Sequence, residues 1–247
     1  MLVCIRDSQI RAASANRKTE QIGPFTAMLS LHDDLPWINY AVPHEAVDGT
    51  CLNQLESFFR DHRRCPRFEF FADLAPSLEG ALKGRGYRLQ GELPMMVCDI
   101  ASFIPVERGD VQVQGLSPAD ELMTIATTVS TAFGATDLPK EQELATTREG
   151  LQSGRMRAAL ASISGVPAGG AYTVGDEMIC ELAGVGTLPQ FRRRGVASCV
   201  SSALMAQHFQ RPNSLVWLSA GDEVAKAVYE RLGFFLLTTQ LNYIQDN

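Results

Sequence analysis

The 247-residue sequence lacks the motifs of several common enzyme classes. It has no G-x-S-x-G nucleophile turn, no phosphate-binding P-loop and no G-x-G-x-x-G dinucleotide fingerprint. Its four histidines do not have the spacing of metal ligands, and His62 with Cys65 is an isolated pair. We therefore expect neither a metal nor a nucleotide cofactor.

Long apolar runs and paired cysteines are also missing. No run approaches the roughly eighteen apolar residues of a membrane span. The first residues are interrupted by Arg6, Asp7 and Arg11, which is not typical of a signal peptide. The six cysteines form no C-x-x-C pair, and we interpret them as reduced thiols. These features predict a cytoplasmic protein without a membrane partner.

Positive charge is in short supply, since the formal net charge is −6. A general nucleic-acid binder needs a basic face to neutralise phosphates, so this balance argues against a nucleic-acid partner. The acidic balance is compatible with a cationic substrate such as an amine.

Two stretches of the sequence each have the pattern of a folded domain. In the first, Leu52, Leu55, Phe58 and Phe59 recur at helical spacing within TCLNQLESFFRDHRR. The strand-like PRFEFFAD, the helix-like SLEGALKGRGY and the strand-like ELPMMVCDI follow. The turn-rich segment 104–110 then joins the stretches. We predict one domain over 1–106 and a second over 107–247.

The second stretch predicts a mixed α/β sheet flanked by helices. It opens with a strand, DVQVQGL, and a helix start at Ser117-Pro118, whose helical pattern continues to about Ser153. RAALASI and AGGAYTV read as a hairpin, and MICELAGVGTL as the next strand. A helix (Val196 to Phe209), the strand SLVWLSA, a helix (Glu223 to Leu232) and a final pair of strands complete the pattern.

The most informative segment is GVGTLPQFRRRGVASCVSSALMAQHF. A strand ends near Thr187, and Gly195 and Ala197 open an amphipathic helix behind three arginines. Small residues at a helix start let the backbone approach a bulky anion, and free N–H groups with the helix dipole favour phosphate there. This pattern predicts a diphosphate cradle. The arginines taken alone are more typical of a solvated basic turn, and the full context of strand, proline, aromatic residue and helix favours the cradle. The apolar face of the helix is predicted from Val196, Val200, Ala203 and Leu204.

This segment resembles the acyl-CoA motif R/Q-x-x-G-x-G/A of the GNAT superfamily, with Ala197 at the position of the commoner final Gly. The resemblance continues through SLVWLSAGDEVAKAVYERLGF, which is similar to that family's strand, helix, Tyr and Leu-Gly-Phe signature. It covers about residues 111–245. The resemblance implies a GNAT-type fold and acetyl-CoA as co-substrate.

The resemblance also implies which backbone groups would hold coenzyme A. The end of the strand, at Val185, Gly186 and Thr187, would hold the pantetheine arm. The diphosphate would lie on the segment Arg192, Arg193, Arg194, Gly195, Val196 and Ala197.

Tyr229 is the candidate for a general acid. Ala225, Val228, Tyr229 and Leu232 share one helix face, so the tyrosine is expected to point toward the sheet. Such a residue is usually part of the core, and the motif match favours the catalytic role.

Glu181 is the candidate for a general base. It lies in the apolar strand MICELAGV, where burial would raise the pKa of a carboxyl group toward a useful range. The resemblance places it where some GNAT members carry a base. A carboxylate at a strand edge, or one paired with an arginine, is an equal alternative. For Asp222 and Ser219 we expect a capping role, and for Cys180 and Cys199 burial as small hydrophobic residues.

The N-terminal half has an echo of the end of the chain. PRFEFFADLAPSLEGALKGRGYRLQGELPMMVCDI has the order strand, helix, Gly-aromatic, strand, with Gly86-Tyr87 standing where Gly233-Phe234 stand. The half therefore resembles a degenerate GNAT-like copy, as in tandem members of the superfamily. It has no R/Q-x-x-G-x-G/A opening, and we hypothesise that it extends the sheet and walls the acceptor site.

The sequence thus predicts an N-acyltransferase that moves an acetyl or short acyl group from acyl-CoA to a primary amine, carried by a small molecule or a peptide. A non-catalytic acyl-CoA sensor is the alternative, and a nucleic-acid module using the basic turn fits poorly with the acidic balance. Acceptor-binding residues are expected within 133–155 and in the N-terminal half. A homodimer is compatible with the sequence.

Overall fold

The computed structural model describes residues 1–45, 47 and 51–245, and these form two compact units. Unit 1 comprises Met1–Met95, Ser219–Gly221 and the residues from Leu236 onward, and unit 2 comprises Met96–Leu218 and Asp222–Phe235. Unit 1 therefore combines the N-terminal part of the chain with the segment that follows Phe235. The domain boundary predicted at 106/107 stays a prediction.

Both units are built from helices and strands. The α-helices of the described residues are α1 (Leu2–Ser14), α2 (Leu52–Asp61), α3 (Leu78–Gly84), α4 (Met123–Ala132), α5 (Glu141–Gln152), α6 (Val196–His208) and α7 (Glu223–Glu230). The strands are β1 (Arg17–Ile22), β2 (Phe25–Ser30), β3 (Tyr40–Pro43), β4 (Arg67–Phe71), β5 (Arg88–Asp99), β6 (Gln112–Leu116), β7 (Met156–Ile163), β8 (Val166–Gly175), β9 (Ile179–Thr187), β10 (Leu215–Ser219) and β11 (Phe235–Ile244). The mixed α/β class is confirmed.

The sheet of unit 1 has the order β1-β2-β3-β4-β11-β5. The last strand of the chain, β11, pairs antiparallel with β4 over five residues, from Gln240 opposite Phe71 to Ile244 opposite Arg67. Tyr243 and Leu241 of β11 are buried in one apolar cluster with Phe25, Phe59 and Phe68. The C-terminal strand is therefore part of the core of unit 1.

The sheet of unit 2 has the order β5-β10-β9-β8-β7-β6, in which only the end of β5 takes part. Strands β6 to β9 form an antiparallel meander, and β10 runs parallel to β9. Two adjacent glycines of β8 let helices approach both faces. A Cβ on Gly169 would lie 2.6 Å from Val196 of α6, and one on Gly170 would lie 2.9 Å from Ile125 of α4. The meander is thus packed between α4 and α6.

Most of the predicted elements are present, and three local expectations are wrong. Ser117-Pro118 does not open a helix, because the Asp120 carboxylate accepts hydrogen bonds from the Ser117 backbone N–H (2.6 Å) and hydroxyl (2.7 Å) and closes a turn there. Helix α4 begins only at Met123. The expected final pair of strands is the single strand β11, and Ala203 is exposed rather than on the buried face of α6.

Two elements were not predicted, and one residue of a predicted helix cannot be compared. Helix α1 and strand β1 at the start of the chain had no sequence prediction. Thr50, where the first predicted helical pattern begins, lies outside the described residues. A membrane-crossing helix, which needs both length and apolar character, does not occur in the described part of the chain.

Candidate functional site

The central feature of unit 2 is a gap that opens between β9 and β10. On its β8 side, β9 is paired from Cys180 to Thr187. On its β10 side, the pairing is confined to Ile179, Cys180 and Glu181. Among the described residues, the β10-facing backbone edge of β9 therefore has no strand partner beyond Glu181. Backbone N–H and C=O groups left open in this way can bind a ligand that carries its own amides.

A bulge directs the end of β9. The register between β8 and β9 shifts between Gly170 and Tyr172, opposite Gly184. Gly184 has φ +59, and a Cβ there would lie 2.9 Å from the Tyr172 ring. Only glycine combines this left-handed conformation with such a close aromatic neighbour. The bulge bends β9 where it leaves β10, as bulges do next to binding sites.

The N-terminus of α6 follows directly after this strand. Gly195, with φ +79, precedes the helix, and no side chain caps it. The Cys199 N–H donates to the Gly195 carbonyl at 2.9 Å and closes the first turn of the helix. The amides of Val196, Ala197 and Ser198 are the donors that a helix start leaves open, and with the helix dipole they favour an anion.

A cleft of about 680 Å3 lies at this helix start. Its lining consists of Val106, Glu107, Arg108, Thr187, Arg192, Arg193, Gly195, Val196, Ala197, Ser198, Val224, Val228 and Arg231. The lining therefore contains four arginines and one acidic residue, Glu107. The volume is in the range of small-molecule sites, and the charge fits an anionic ligand.

The three arginines of the predicted motif have different surroundings. Arg192 donates from Nε to the Thr187 carbonyl (3.4 Å) and from Nη2 to the Ala132 carbonyl (3.3 Å), so it ties the end of β9 to the end of α4. Arg193 lines the cleft in a left-handed conformation, φ +62. Arg194 lies outside the lining, because its Nη2 pairs with the Asp110 carboxylate at 3.2 Å.

Some of the remaining predicted binding residues line the cleft, and others do not. Thr187, Gly195, Val196 and Ala197 line the cleft. Val185 and Gly186 do not, although they lie on the open edge of β9 that leads to it.

Tyr229 is buried on α7 and packs edge-on against the Phe234 ring, with the centroids 5.7 Å apart. Burial, and then the charge of Asp222, raise the pKa of Tyr229 to about 12. The phenol is therefore protonated at neutral pH and available as a hydrogen-bond donor. The cleft lining includes Val224, Val228 and Arg231 from this part of the chain but not Tyr229 itself.

Glu181 is half-buried and lies at the point where β9 separates from β10. It is the last residue of β9 that pairs with β10, opposite Trp217, and it lies opposite Val174 of β8. Its carboxylate therefore sits where the two strands separate. This position supports the candidate base by location alone.

The other residues singled out from the sequence have structural surroundings. Asp222 caps α7, since its Oδ1 accepts from the Ala225 N–H at 2.7 Å, which confirms the expected cap. Ser219 donates to Gln240 Oε1 at 2.7 Å. Cys180 and Cys199 are buried, and burial raises the pKa of both thiols, so they are poor nucleophiles. Within the described ranges, no three His, Cys, Asp or Glu side chains cluster as metal ligands.

Sequence reasoning missed two of the four arginines of the cleft. Arg108 comes from the turn-rich segment before β6, and Arg231 follows α7. Arg231 lies within the stretch SLVWLSAGDEVAKAVYERLGF but was not singled out there. No local periodicity predicts that Arg108 reaches a helix start far later in the chain. The one usable signal was a cluster of charged residues in the joining segment.

Comparison with known proteins identifies the fold. A family model described as FR47-like protein matches residues 173–243. A GCN5-related N-acetyltransferase from Kribbella flavida is similar over 100% of this chain and 96% of its own, with a TM-score of 0.81 and 22% identity. One from Sphaerobacter thermophilus is similar over 90% of this chain and 76% of its own, with a TM-score of 0.67 and 16% identity.

A tandem GNAT protein from the clavulanic acid biosynthesis pathway is similar over 90% of this chain and 78% of its own, with a TM-score of 0.59 and 13% identity. None of the curated proteins matches the chain. The resemblance to the GNAT superfamily, including its tandem form, is confirmed at the level of the fold.

Proposed function

We propose that the protein is an N-acyltransferase that moves an acetyl or another short acyl group from acyl-CoA to a primary amine. The observation that supports it best is the opening of β9 from β10 after Glu181, directly before the glycine-led helix α6. An open strand edge suits the amides of pantetheine, and the helix start suits the diphosphate that follows them in coenzyme A. The residues present therefore fit acetyl-CoA as co-substrate.

The chemistry is a direct attack in a ternary complex. The neutral amine forms a bond to the thioester carbonyl carbon, and the tetrahedral intermediate breaks its C–S bond, so that the electron pair leaves on sulfur. The Tyr229 hydroxyl donates a hydrogen bond and then a proton to that sulfur. The proton that the nitrogen of the intermediate loses passes to Glu181 or to water, and the Tyr229 phenolate regains a proton from the same source or from solvent. Because both substrates are held together, no covalent enzyme intermediate is needed.

The acceptor is a primary amine of a small molecule or a peptide, with no nucleic acid involved. An acidic protein, with a net charge of −6, attracts such a cation. The charge of the cleft has the opposite sign, which separates the anionic co-substrate from the cationic acceptor.

Isothermal titration of acetyl-CoA and free CoA into the purified chain tests the proposal, followed by a screen of amines for acetylation. We expect saturable binding of both compounds. Arg193→Glu should weaken binding by about tenfold or more, because it puts a carboxylate on the phosphate-facing wall. The matched control is Arg211→Glu, since Arg211 is exposed, pairs with Glu177 and lies outside the cleft. Absence of binding by the wild-type chain would contradict the proposal.

The role of Glu181 is tested by comparing turnover with acetyl-CoA affinity. Glu181→Gln should lower turnover and leave acetyl-CoA affinity within about twofold, because the carboxylate acts on the amine rather than on the diphosphate. Unchanged turnover would assign the proton transfer to water.

A further inference from the structure

The segment Ser102–Val111, which we call the strap, crosses unit 2 beside the cleft and is held at several points. Ile104 donates its N–H to the Leu232 carbonyl at 3.0 Å, and Val106 donates to Ser202 Oγ at 2.8 Å. The Phe103 and Phe209 rings pack with centroids 5.2 Å apart. The strap is therefore fixed to both α6 and the end of α7, the two helices that border the cleft.

One side chain of the strap lies on the helix start itself. Arg108 packs so closely on Gly195 that a Cβ at Gly195 would overlap its Cδ and would lie 3.2 Å from its Nε. Glycine is therefore needed at position 195 for two reasons. It adopts the left-handed conformation, and it leaves room for the Arg108 side chain. The Arg108 side chain is about half exposed, and the residue is part of the cleft lining.

The charge of Arg108 is available for a ligand. Its ion pair with Asp110 is long, 3.4 Å, and that carboxylate is shared with Arg194 at 3.2 Å. Exposed pairs of this kind contribute little and are readily exchanged for a stronger anion. Arg192, by contrast, already donates to two backbone carbonyls. Arg108, by comparison, supplies the three atoms nearest to a Cβ built on Gly195, leaving out its two chain neighbours.

We propose that Arg108 is a diphosphate-binding residue, which the strap brings to the cradle from outside the acyl-CoA motif. The inference rests on the proposed function and adds a residue to it. A planar guanidinium can donate two parallel hydrogen bonds to phosphate oxygens, and the helix amides bind the opposite side of the same group. Arg108 acts on binding and takes no part in proton transfer.

The position on Gly195 also selects which phosphate is bound. In the proposed binding mode the diphosphate of coenzyme A would meet the helix start, and the 3′-phosphate, which is carried on the ribose, would lie beyond it. A residue that contacts Gly195 should therefore affect CoA and 3′-dephospho-CoA equally.

The experiment is isothermal titration of CoA and of 3′-dephospho-CoA into the full chain and its variants. We expect Arg108→Ala to weaken both ligands by about tenfold, since a charge-assisted contact is lost, while the ratio of the two affinities stays as in the wild type. Arg108→Lys should recover part of the loss, because it restores the charge without the paired donors. In a steady-state assay, Arg108→Ala should raise KM for acetyl-CoA and leave kcat within about twofold.

Arg211→Ala is the matched control, because it removes one exposed, ion-paired arginine of the same unit and the same charge. A thermal unfolding transition equal to that of the wild type verifies that each variant is folded. Wild-type affinity in Arg108→Ala, or a loss confined to CoA, would overturn the inference while leaving the proposed function intact. If the wild-type chain binds neither compound, the proposed function fails, and the inference fails with it.

Discussion

Two β-α-β segments of the chain share a turn and differ in chemistry. The first consists of β4, α3 and β5, and the second of β10, α7 and β11. In the first, Arg85 and Tyr87 donate their N–H groups to the Leu82 carbonyl at 3.0 and 3.1 Å, and Gly86 donates to Lys83 at 3.1 Å. In the second, the same pattern reappears at the end of α7.

There, Leu232 and Phe234 donate to the Tyr229 carbonyl at 2.9 and 3.1 Å, and Gly233 donates to Glu230 at 3.1 Å. Gly86 and Gly233 both have positive φ, +80 and +94. The two helices therefore end in the same glycine-led turn before an aromatic residue. This supports the interpretation of the N-terminal half as a second copy of the GNAT-like pattern.

The difference lies at one position of that turn. The residue whose carbonyl accepts both hydrogen bonds is Tyr229 in the second segment and the fully buried Leu82 in the first. The turn requires a backbone carbonyl, which any residue supplies, whereas proton donation requires the phenol. The first copy thus keeps the local geometry without the proposed acid.

The largest effect on turnover is expected from removing the Tyr229 hydroxyl, the group that distinguishes the second segment from the first. Tyr229→Phe removes only the hydroxyl, so we expect turnover to fall by a factor of about 100 or more, while acetyl-CoA affinity stays within about twofold. Steady-state kinetics and titration measure the two quantities. A variant that keeps wild-type turnover would remove Tyr229 from the mechanism.

Tyr87→Phe is the control in the first segment. The Tyr87 hydroxyl donates to Glu56 Oε1 at 3.2 Å, so its loss should lower the free energy of unfolding by about 1 kcal/mol. Turnover per folded molecule should not change, because this hydroxyl has a structural partner in unit 1.

The two glycines of the shared turn, Gly86 and Gly233, should differ in the stability cost of a substitution by alanine. A Cβ on Gly233 would overlap the Ser102 carbonyl of the strap, whereas a Cβ on Gly86 would meet open space. Gly86→Ala should therefore cost about 1–2 kcal/mol of stability for the left-handed conformation alone. Gly233→Ala should cost more than that, because the strap must also move. Urea unfolding of both variants measures the difference, and equal losses would show that the strap is not held there.

The features that the sequence predicted differ from those it did not predict in the separation of the residues involved. The shared turn, the strands around it and the glycine-led start of α6 depend on residues close together in the chain, and their patterns predicted them. The pairing of β11 with β4 and the contact of Arg108 with Gly195 join residues far apart. Neither leaves a periodic signal, since one depends on which strand edges meet and the other on where the strap is anchored. The missed part of the site is therefore the part that tertiary contacts create.

The smallest expected effect concerns one histidine in each unit. His208 of unit 2 is fully buried. Burial, and then the charge of Arg157, lower the pKa of His208, against opposing influences from the Leu215 and Met178 backbone and from Asp176. In unit 1, burial and then Arg6 lower the pKa of His44, whose ring contacts the Thr26 hydroxyl.

Because each folded-state pKa lies below the unfolded value of about 6.5, the unfolded chain binds more protons as the solution is acidified. The stabilisation is present in full above that pH and is lost as pH falls below it, with a slope of at most about 1.4 kcal/mol per pH unit for each histidine. His208→Leu should flatten this dependence more than His44→Gln, because His208 is fully buried whereas His44 is only half-buried. Urea unfolding between pH 7.5 and 5 gives the two slopes, on the order of one proton each at most. A larger change from the His44 variant would show that the Thr26 contact, rather than burial, controls the acid sensitivity of the chain.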